Sequence, residues 1–305
     1  MEKIEEKYIN AGTTELFVKV IGKGSPAVVI ETTLGCCSTE WLPIQLELSK
    51  YTTVISYDRA GYAESPIPKT KRSSWQIATE LNLLLKNLNI PAPFVFIGNS
   101  IGGLYLQHFA KLFPEMVCGL ILADSITIKE KDFNLIDAPT YQQFISMTAR
   151  INNIKALLEL DNKTFENQIL PMLQMVYANI AKEIKSSLLK YYTEKKLYRT
   201  VIEEYELLDE SINEINAIFT FPNIPIKVLC RDSKEMIRIS NSIGIPEDEA
   251  KAVEEFWLQT TQELLNLSEQ SEFKIVAGSN HSIHLSSPIA IIEETLDMLE
   301  KIRKQ

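Results

Sequence analysis

Short runs of apolar, mostly β-branched residues recur along the chain and alternate with longer stretches of helical periodicity. These runs lack polar alternation, which is typical of strands covered on both faces in a parallel sheet. Residues 7–21 alternate loosely before the turn 22–26, and this pattern predicts a leading hairpin. The predicted buried strands are residues 27–30, 53–57, 94–97, 119–123, 226–230 and 273–276.

Helical patterns separate these runs. Residues 74–88 carry apolar side chains at helical spacing after a serine capping signal. Residues 101–113 form a second predicted helix that Pro114 ends, and residues 287–302 form a third that opens on Ser287 and Pro288. Strands that alternate with helices predict right-handed crossovers and a doubly wound α/β fold.

One long segment, residues 129–221, is helical and poor in strand patterns. The strand pattern resumes at Ile226, which favours a helical insertion over a separate helical domain with its own function. The predicted organisation is a core of residues 1–128 and 222–305, with a cap of residues 129–221 packed over the C-terminal edge of the sheet as a lid. Its predicted helices are residues 141–160, 165–176, 184–192 and 201–218.

Composition narrows the class of partner. The chain has 305 residues, 45% of them hydrophobic, which is enough for one large core. Lys and Arg total 31 against 40 Asp and Glu, a net charge of -9. An acidic surface repels phosphate backbones and anionic lipid, so we expect a small-molecule substrate rather than nucleic acid or a membrane. The sequence leaves monomer and homodimer open.

Location and redox chemistry follow from simpler signals. The first seven residues are charged and lack the apolar region of a signal peptide. No apolar run approaches the roughly 20 residues that span a bilayer. The four cysteines form no CxxC pattern, which favours free thiols in a reducing cytosol. We therefore expect a cytoplasmic protein with no metal site and no cofactor.

The most informative stretch is residues 94–103, where a predicted strand runs into a helix through the pattern G-x-S-x-G. Such a reversal strains the serine backbone and lifts its hydroxyl above the sheet at a helix N-terminus. Small residues on both sides, Gly98 and Gly102, avoid collision with the turn. The alternative, a phosphate-binding turn, requires G-x-G-x-x-G or a Walker lysine, and the stretch has neither. Ser100 is therefore the predicted nucleophile.

A serine nucleophile requires a base, and imidazole titrates nearest neutral pH. The chain has three histidines. His108 lies eight residues beyond Ser100 within the helix, and we interpret it as a helix-packing residue. His281 directly follows the last predicted strand, whereas His284 lies nearer the next helix and is expected to orient the loop or pack. His281 is the predicted base.

Three motifs together resemble the α/β-hydrolase fold family, over nearly the whole length outside the predicted cap. They are the Ser100 turn, residues 56–65 (SYDRAGYAES), and residues 277–281 (AGSNH) before the predicted helix. The second is similar to the family's D-R-x-G-x-G-x-S segment, with Ala63 in place of a glycine. The resemblance implies an eight-stranded, mostly parallel sheet flanked by helices, with antiparallel first strands and an inserted helical cap.

The carboxylate that orients His281 has two candidates. Asp124 ends the strand 119–123, where the resemblance implies the acid in haloalkane dehalogenases and certain lipases. Asp232 follows the penultimate predicted strand, which is the commoner place for the family's acid, but it arrives early in its turn. Asp124 is preferred, with Asp232 kept as the alternative. Both obey the family's order of nucleophile, acid and histidine.

Backbone N–H donors must stabilise the substrate oxygen as it becomes negative. Ile101, directly after Ser100, supplies one predicted donor; the resemblance implies the other at Leu34. Thr33 replaces the glycine usual there, and Glu31 is either an ion-pair partner or a modulator of the site. Several side chains of the predicted cap are candidates for an apolar acyl pocket or for ordinary core contacts: Phe144, Met147, Met172, Met175 and Tyr177.

These residues predict a serine hydrolase that cleaves an ester or thioester through an acyl-enzyme without a cofactor. Amidase, lactonase, C–C hydrolase and cofactor-free lyase reactions use related constellations. Haloalkane dehalogenation is disfavoured because it needs an aspartate where Ser100 stands. A ligand receptor that retains the same pocket without efficient turnover is the alternative from a different class.

Overall fold

A computed structural model describes residues 3–178 and 180–304. Its eight strands form one sheet in the order β1-β2-β4-β3-β5-β6-β7-β8. The β1–β2 and β2–β4 pairs are antiparallel, and the other five pairs are parallel. The predicted fold class is confirmed. The strands are β1 (Glu5–Asn10), β2 (Glu15–Ile21), β3 (Val28–Glu31), β4 (Val54–Tyr57), β5 (Phe94–Asn99), β6 (Val117–Ala123), β7 (Ile226–Cys230) and β8 (Ser271–Ile275).

The strands lie where the sequence predicts them, but the last predicted strand is not buried as its apolar run predicts. Strands β3, β4, β5 and β7 are buried at every residue, as their apolar runs predict. Residues 273–276 also show such a run, but β8 is the edge of the sheet and its Ile275 is half exposed. A short apolar run therefore does not distinguish an edge strand from a central one.

Thirteen α-helices lie among the described residues, and none is long and apolar enough to cross a membrane. Four of them, α1, α10, α11 and α12, were not predicted. The helices are α1 (Leu42–Leu48), α2 (Ser74–Asn87), α3 (Ile101–Leu112), α4 (Pro139–Phe144), α5 (Met147–Leu158), α6 (Asn162–Val176), α7 (Lys182–Tyr192), α8 (Lys195–Glu206), α9 (Leu208–Asn216), α10 (Ser233–Ser242), α11 (Glu247–Glu263), α12 (Ile283–Ser286) and α13 (Pro288–Arg303).

Helices cover both faces of the sheet. Phe96 of β5 packs with α2 and α3 on one face, where its ring lies 5.0 Å from that of Phe109. The next residue, Ile97, faces the other side and packs with α1 and α13, including Leu299. This alternation along one strand produces the two apolar layers of an α/β fold and leaves the carboxyl ends of the parallel strands free to carry side chains.

The connection between β6 and β7, residues 124–225, is hereafter the insertion. Its described residues, 124–178 and 180–225, hold α4 to α9 and no strand. Two predicted helices are each divided. The predicted helix 141–160 breaks before Met147, where the Ser146 hydroxyl accepts a hydrogen bond from the Ala149 N–H and begins α5. The predicted helix 201–218 breaks at Leu207, between α8 and α9.

Candidate active site

Ser100 occupies a strained turn between β5 and α3. Its backbone dihedrals are φ 55° and ψ −124°, a conformation that residues other than glycine rarely adopt. The turn is crowded, since a Cβ on Gly102 would lie 2.5 Å from the carbonyl oxygen of Thr32. A larger residue at position 102 would thus push the β3 turn away from the start of α3. The sequence pattern and the backbone geometry agree at this turn.

The structure brings Ser100, His281 and Asp124 into one hydrogen-bonded chain. The Nε2 atom of His281 lies 3.0 Å from the Oγ of Ser100, and its Nδ1 lies 2.6 Å from an Oδ of Asp124. The three residues follow β5, β8 and β6, whose carboxyl ends meet at one edge of the sheet. A carboxylate that accepts from Nδ1–H leaves the Nε2 lone pair free to take the serine proton.

The Asp124 carboxylate is fully buried and accepts further hydrogen bonds. The backbone N–H of Arg231 and the indole N–H of Trp257 donate to its other oxygen at 3.0 and 2.8 Å. Burial by itself would raise the pKa of this carboxyl, but the Arg231 guanidinium and the contact with His281 outweigh it and lower the pKa. Asp124 therefore carries a negative charge beside the imidazole at neutral pH.

Trp257 also shapes the surroundings of the imidazole. Its ring meets that of His281 edge to face, with centroids 5.4 Å apart and planes at 88°. The Arg231 guanidinium stacks on the Trp257 ring, 3.8 Å from its centroid, and pairs with Glu254 at 2.6 Å. Trp257 and Glu254 come from α11, a helix that the sequence patterns did not predict. Their contacts with Asp124 and Arg231 join residues more than 20 positions apart in the sequence, so no short sequence pattern indicates them.

Asp232, the alternative acid, has a different set of partners. One of its oxygens accepts from the Lys234 N–H at the start of α10, and the other accepts from the Gly278 N–H at 2.9 Å. Among the described residues it forms no hydrogen bond with His281. It caps a helix and ties that helix to the loop that leads to His281.

The other two histidines pack away from Ser100, in agreement with their interpretation from sequence. His284 stacks on Trp41 at 4.6 Å and lies 3.1 Å from a carboxylate oxygen of Glu40. His108 is buried in α3 and shares a 2.7 Å hydrogen bond with the Ser74 hydroxyl. Burial, assisted by nearby Lys111, lowers the pKa of His108 to about 4.

His108 should make stability depend on pH. The unfolded chain, with an ordinary histidine pKa near 6.5, binds a proton between pH 4 and 6.5 that the native state rejects. The free energy of unfolding therefore rises with pH in this window, and at pH 5 this group alone costs about 2 kcal/mol relative to pH 8. Urea unfolding at both pH values should show that loss in the wild type and a smaller one in His108→Gln. Equal losses would contradict the assignment.

The backbone amides predicted to form an oxyanion hole lie close to the Ser100 turn. Leu34 packs in the same apolar cluster as Ile101. Within the described residues, neither amide N–H donates to another protein atom. Both donors are thus available to an oxygen held near Ser100, and their role stays a prediction. Glu31, left open by the sequence, pairs with Arg59 at 2.5 Å and lies fully buried.

A cavity of about 380 Å³ lies between the insertion and α11. Its floor contains Phe133, Tyr205, Leu208 and Trp257, which belong to the same cluster as Leu34 and Ile101. Its rim carries two ion pairs between the early and late parts of the insertion, each 2.5 Å long: Lys131 with Asp209, and Lys155 with Glu206. An aromatic floor beneath an ionic rim suits an amphiphilic group.

The five residues of the insertion that the sequence suggested as pocket lining differ from one another in burial and in contact with the cavity. Met147 lines the cavity. Tyr177 is buried, and its hydroxyl donates to Glu40 at 2.9 Å. The remaining three are more than half exposed and line no part of this cavity: Phe144, Met172 and Met175. Helical spacing alone did not identify the buried face of α6.

One group of side chains has the composition of a metal site. Cys36, Glu40 and His284 place one candidate ligand atom each within 4.8 Å of the others, and all three are buried. The Glu40 carboxylate, however, already accepts hydrogen bonds from His284 and from the hydroxyls of Tyr177 and Tyr192. These contacts form a hydrogen-bonded network that ties α6 and α7 to the core, and they account for the cluster.

Comparison with known proteins finds relatives and solved structures that are similar to this chain. A protein of Gibberella zeae, an AB hydrolase superfamily protein, is 23% identical over 321 residues, which cover 95% of this chain and 92% of that protein. A 2-hydroxy-6-oxo-6-(2'-aminophenyl)hexa-2,4-dienoic acid hydrolase of Metapseudomonas resinovorans is 26% identical over 122 residues, 39% of this chain and 42% of that enzyme. A thermophilic esterase from Thermogutta terrifontis has a TM-score of 0.64 at 19% identity, and the superposition covers 98% of this chain and 99% of the esterase.

The family model of the alpha/beta hydrolase fold matches residues 26–208, more than half of the chain. The matched region contains Ser100 and Asp124, and His281 lies beyond it. The sheet order, the strained turn and this match agree with one another. The chain belongs to the alpha/beta hydrolase fold family.

Proposed function

We propose that the protein is a serine hydrolase that cleaves carboxylic esters or thioesters through an acyl-enzyme. The observation that carries this proposal is the chain of hydrogen bonds from Ser100 through His281 to Asp124, with separations of 3.0 and 2.6 Å. Each member has the environment that its role requires: a hydroxyl on a strained turn, an imidazole between two oxygens, and a buried carboxylate with a lowered pKa.

The reaction takes place in two halves. The Oγ of Ser100 attacks the carbonyl carbon while His281 takes the hydroxyl proton at Nε2, and Asp124 stabilises the imidazolium. The amides of Leu34 and Ile101 donate to the oxygen that becomes negative. Collapse of the tetrahedral intermediate breaks the bond to the alcohol or thiol, which leaves with the proton from His281. Water then repeats the sequence on the acyl-enzyme and releases the acid.

The cavity supports a small or medium-sized substrate of mixed polarity. Its volume of about 380 Å³ is near the lower end of the range for small-molecule sites. Neither Ser100 nor His281 lines this cavity, but Trp257 does, and its ring meets that of His281. The apolar side chains around Trp257 thus suit an apolar part of the substrate on the way to the reacting carbonyl. The ion pairs at the rim suit a polar end that reaches solvent.

A C–C bond hydrolase is the second candidate, because a relative named for that kind of substrate is 26% identical over part of the chain. The same serine, histidine and aspartate can serve such a reaction, but its leaving group is a carbon that must be protonated. Simple esters lack that carbon acid, whereas vinylogous diketo acids contain it. An enzyme that hydrolyses esters alone supports the ester hydrolase. An enzyme that also cleaves vinylogous diketo acids supports the C–C bond hydrolase.

Covalent labelling tests the nucleophile directly. A fluorophosphonate should modify the wild-type protein by one equivalent, and peptide mass spectrometry should find the adduct on Ser100. The Ser100→Ala variant is the control and should stay unlabelled. Repeated turnover of p-nitrophenyl esters of increasing acyl length should accompany labelling and fall once the acyl chain exceeds the cavity. An adduct on another residue, or none on the folded protein, would reject the proposed nucleophile; labelling without turnover would favour a receptor.

A further inference from the structure

Two side chains from the segment after β4 hold the turn that carries Leu34. The Arg59 Nη2 donates to the carbonyl oxygen of Thr33 at 3.1 Å. On the other side of Leu34, the backbone N–H of Gly35 donates to the hydroxyl of Tyr62 at 3.1 Å. The first contact fixes the peptide plane before Leu34, and the second fixes the plane after it. Leu34 is therefore restrained in both directions along the chain.

The contact with Thr33 acts directly on the amide of Leu34. The Thr33 carbonyl and the Leu34 N–H belong to one planar peptide unit, and in a trans peptide they point in opposite directions. The guanidinium of Arg59 lies on the carbonyl side, so it sets the direction of the N–H on the other side. A cationic donor on the carbonyl also polarises the peptide, which strengthens its N–H as a donor.

A single carboxylate from the insertion holds both of these side chains. Glu204, on α8, accepts from Arg59 at two points, 3.1 Å to Nε and 3.0 Å to Nη2. Its second oxygen also accepts from the Tyr62 hydroxyl at 3.0 Å. Arg59 and Glu204 are at most 1% exposed. Because Glu31 pairs with Arg59 from the opposite side at 2.5 Å, the guanidinium has one orientation only.

We propose that Arg59, Tyr62 and Glu204 are positioning residues that aim the Leu34 amide into the oxyanion hole, so that the docking of α8 completes the hole. The inference rests on the proposed function, in which Leu34 supplies one of two donors to the substrate oxygen. It gives the insertion a part in the chemical step in addition to forming one wall of the cavity.

Glu204→Gln tests this most sharply, because it keeps the size of the side chain but turns an amide N–H₂ toward the guanidinium. Loss of a whole oxyanion donor costs about 10²–10³ in kcat, and a misdirected one should cost less. We expect kcat for a simple ester to fall 10- to 100-fold with KM within threefold. The Ki of a trifluoromethyl ketone should rise by the same factor, since its hemiketal oxyanion occupies the hole.

Two further variants separate positioning from folding. Tyr62→Phe removes one hydroxyl and should lower kcat about 5- to 10-fold, which keeps the test available if Glu204→Gln does not fold. Glu203→Gln makes the same chemical change one residue away on α8. The Glu203 side chain has no hydrogen bond or ion pair with the described residues, so this control should match the wild type. A merely structural role would reduce the number of active sites titrated by fluorophosphonate and leave kcat per site and Ki unchanged, and that result would overturn the inference.

A readout independent of turnover distinguishes failure of this inference from failure of the proposed function. The ¹H–¹⁵N resonance of the Leu34 amide should shift in Glu204→Gln and Tyr62→Phe and stay in place in Glu203→Gln. If the wild type hydrolyses esters and the variants bind the trifluoromethyl ketone with the same Ki as the wild type, the positioning role alone is overturned. A wild type without turnover or labelling, in which the Leu34 resonance still moves in the variants, overturns the proposed function and retains the restraint.

Discussion

His281→Ala should lower kcat by about 10⁵- to 10⁶-fold, because removal of the base from a serine triad costs nearly as much as removal of the whole triad. The Nε2 atom at 3.0 Å is the imidazole nitrogen beside the Ser100 hydroxyl, and without it the hydroxyl keeps its proton. Steady-state hydrolysis of a simple alkyl ester measures the loss. Fluorophosphonate labelling of Ser100 should slow in parallel, since it requires the same activation.

His108→Gln is the matched control for that experiment. His108 is a buried histidine that bonds to Ser74, and its replacement should change stability while kcat stays within about threefold of the wild type. Activity above one per cent of the wild type in His281→Ala would remove His281 from the mechanism. Comparable losses in both variants would indicate general damage to the fold.

Asp124→Asn should lower kcat by about 10⁴-fold with little change in the fold. The asparagine amide can offer its N–H₂ to Nδ1, which stabilises the imidazole tautomer that carries its proton on Nε2. That tautomer cannot accept the proton of Ser100. The hydrogen bonds from the Arg231 N–H and the Trp257 indole can still reach the remaining amide oxygen, so the site keeps its shape. Ester hydrolysis measures the loss, and circular dichroism checks the fold.

Asp232→Asn tests the alternative acid under the same conditions. It weakens a helix cap and a contact with Gly278, which should cost about 1 kcal/mol of stability and leave kcat within threefold. The reverse result, a large kinetic loss in Asp232→Asn and a mild one in Asp124→Asn, would exchange the roles of the two aspartates. Comparable mild losses would mean that neither aspartate orients the base.

Much of the fold follows from local patterns in the sequence. Buried parallel strands such as β5 need apolar side chains on both faces, and this demand leaves short runs that can be located without a structure. The turn at Ser100 is similarly local, because strain and crowding act within five residues. Ser146 marks the start of α5 by an ordinary capping hydrogen bond, a signal that was present in the sequence and was missed.

The surroundings of the site depend on contacts between distant positions. Arg59 belongs to a recognisable motif, but its partner Glu204 lies 145 residues further on and, taken alone, has the character of an ordinary surface residue. Trp257 reaches Asp124 across 133 residues from a helix rich in acidic side chains, whose pattern gives no reason to expect an indole at the site. Such pairs are defined by packing, which a single sequence does not reveal. The sequence alone likewise gives no sign of the hydrogen bond between Asp124 and His281, which supports the proposal of Asp124 over Asp232 as the acid.

Because β6 and β7 are parallel neighbours, with Leu120 opposite Ile226 and Ala123 opposite Leu229, the insertion leaves the sheet at the carboxyl end of β6 and re-enters it at the amino end of the next strand, β7. A lid from another hydrolase can therefore be grafted between these two strands without moving the register of any other strand. Under the role proposed for Glu204, the graft also has to bring a carboxylate to the guanidinium of Arg59. A chimera that omits it should keep its new substrate range and lose reaction rate, and adding back that one acidic side chain should restore the rate.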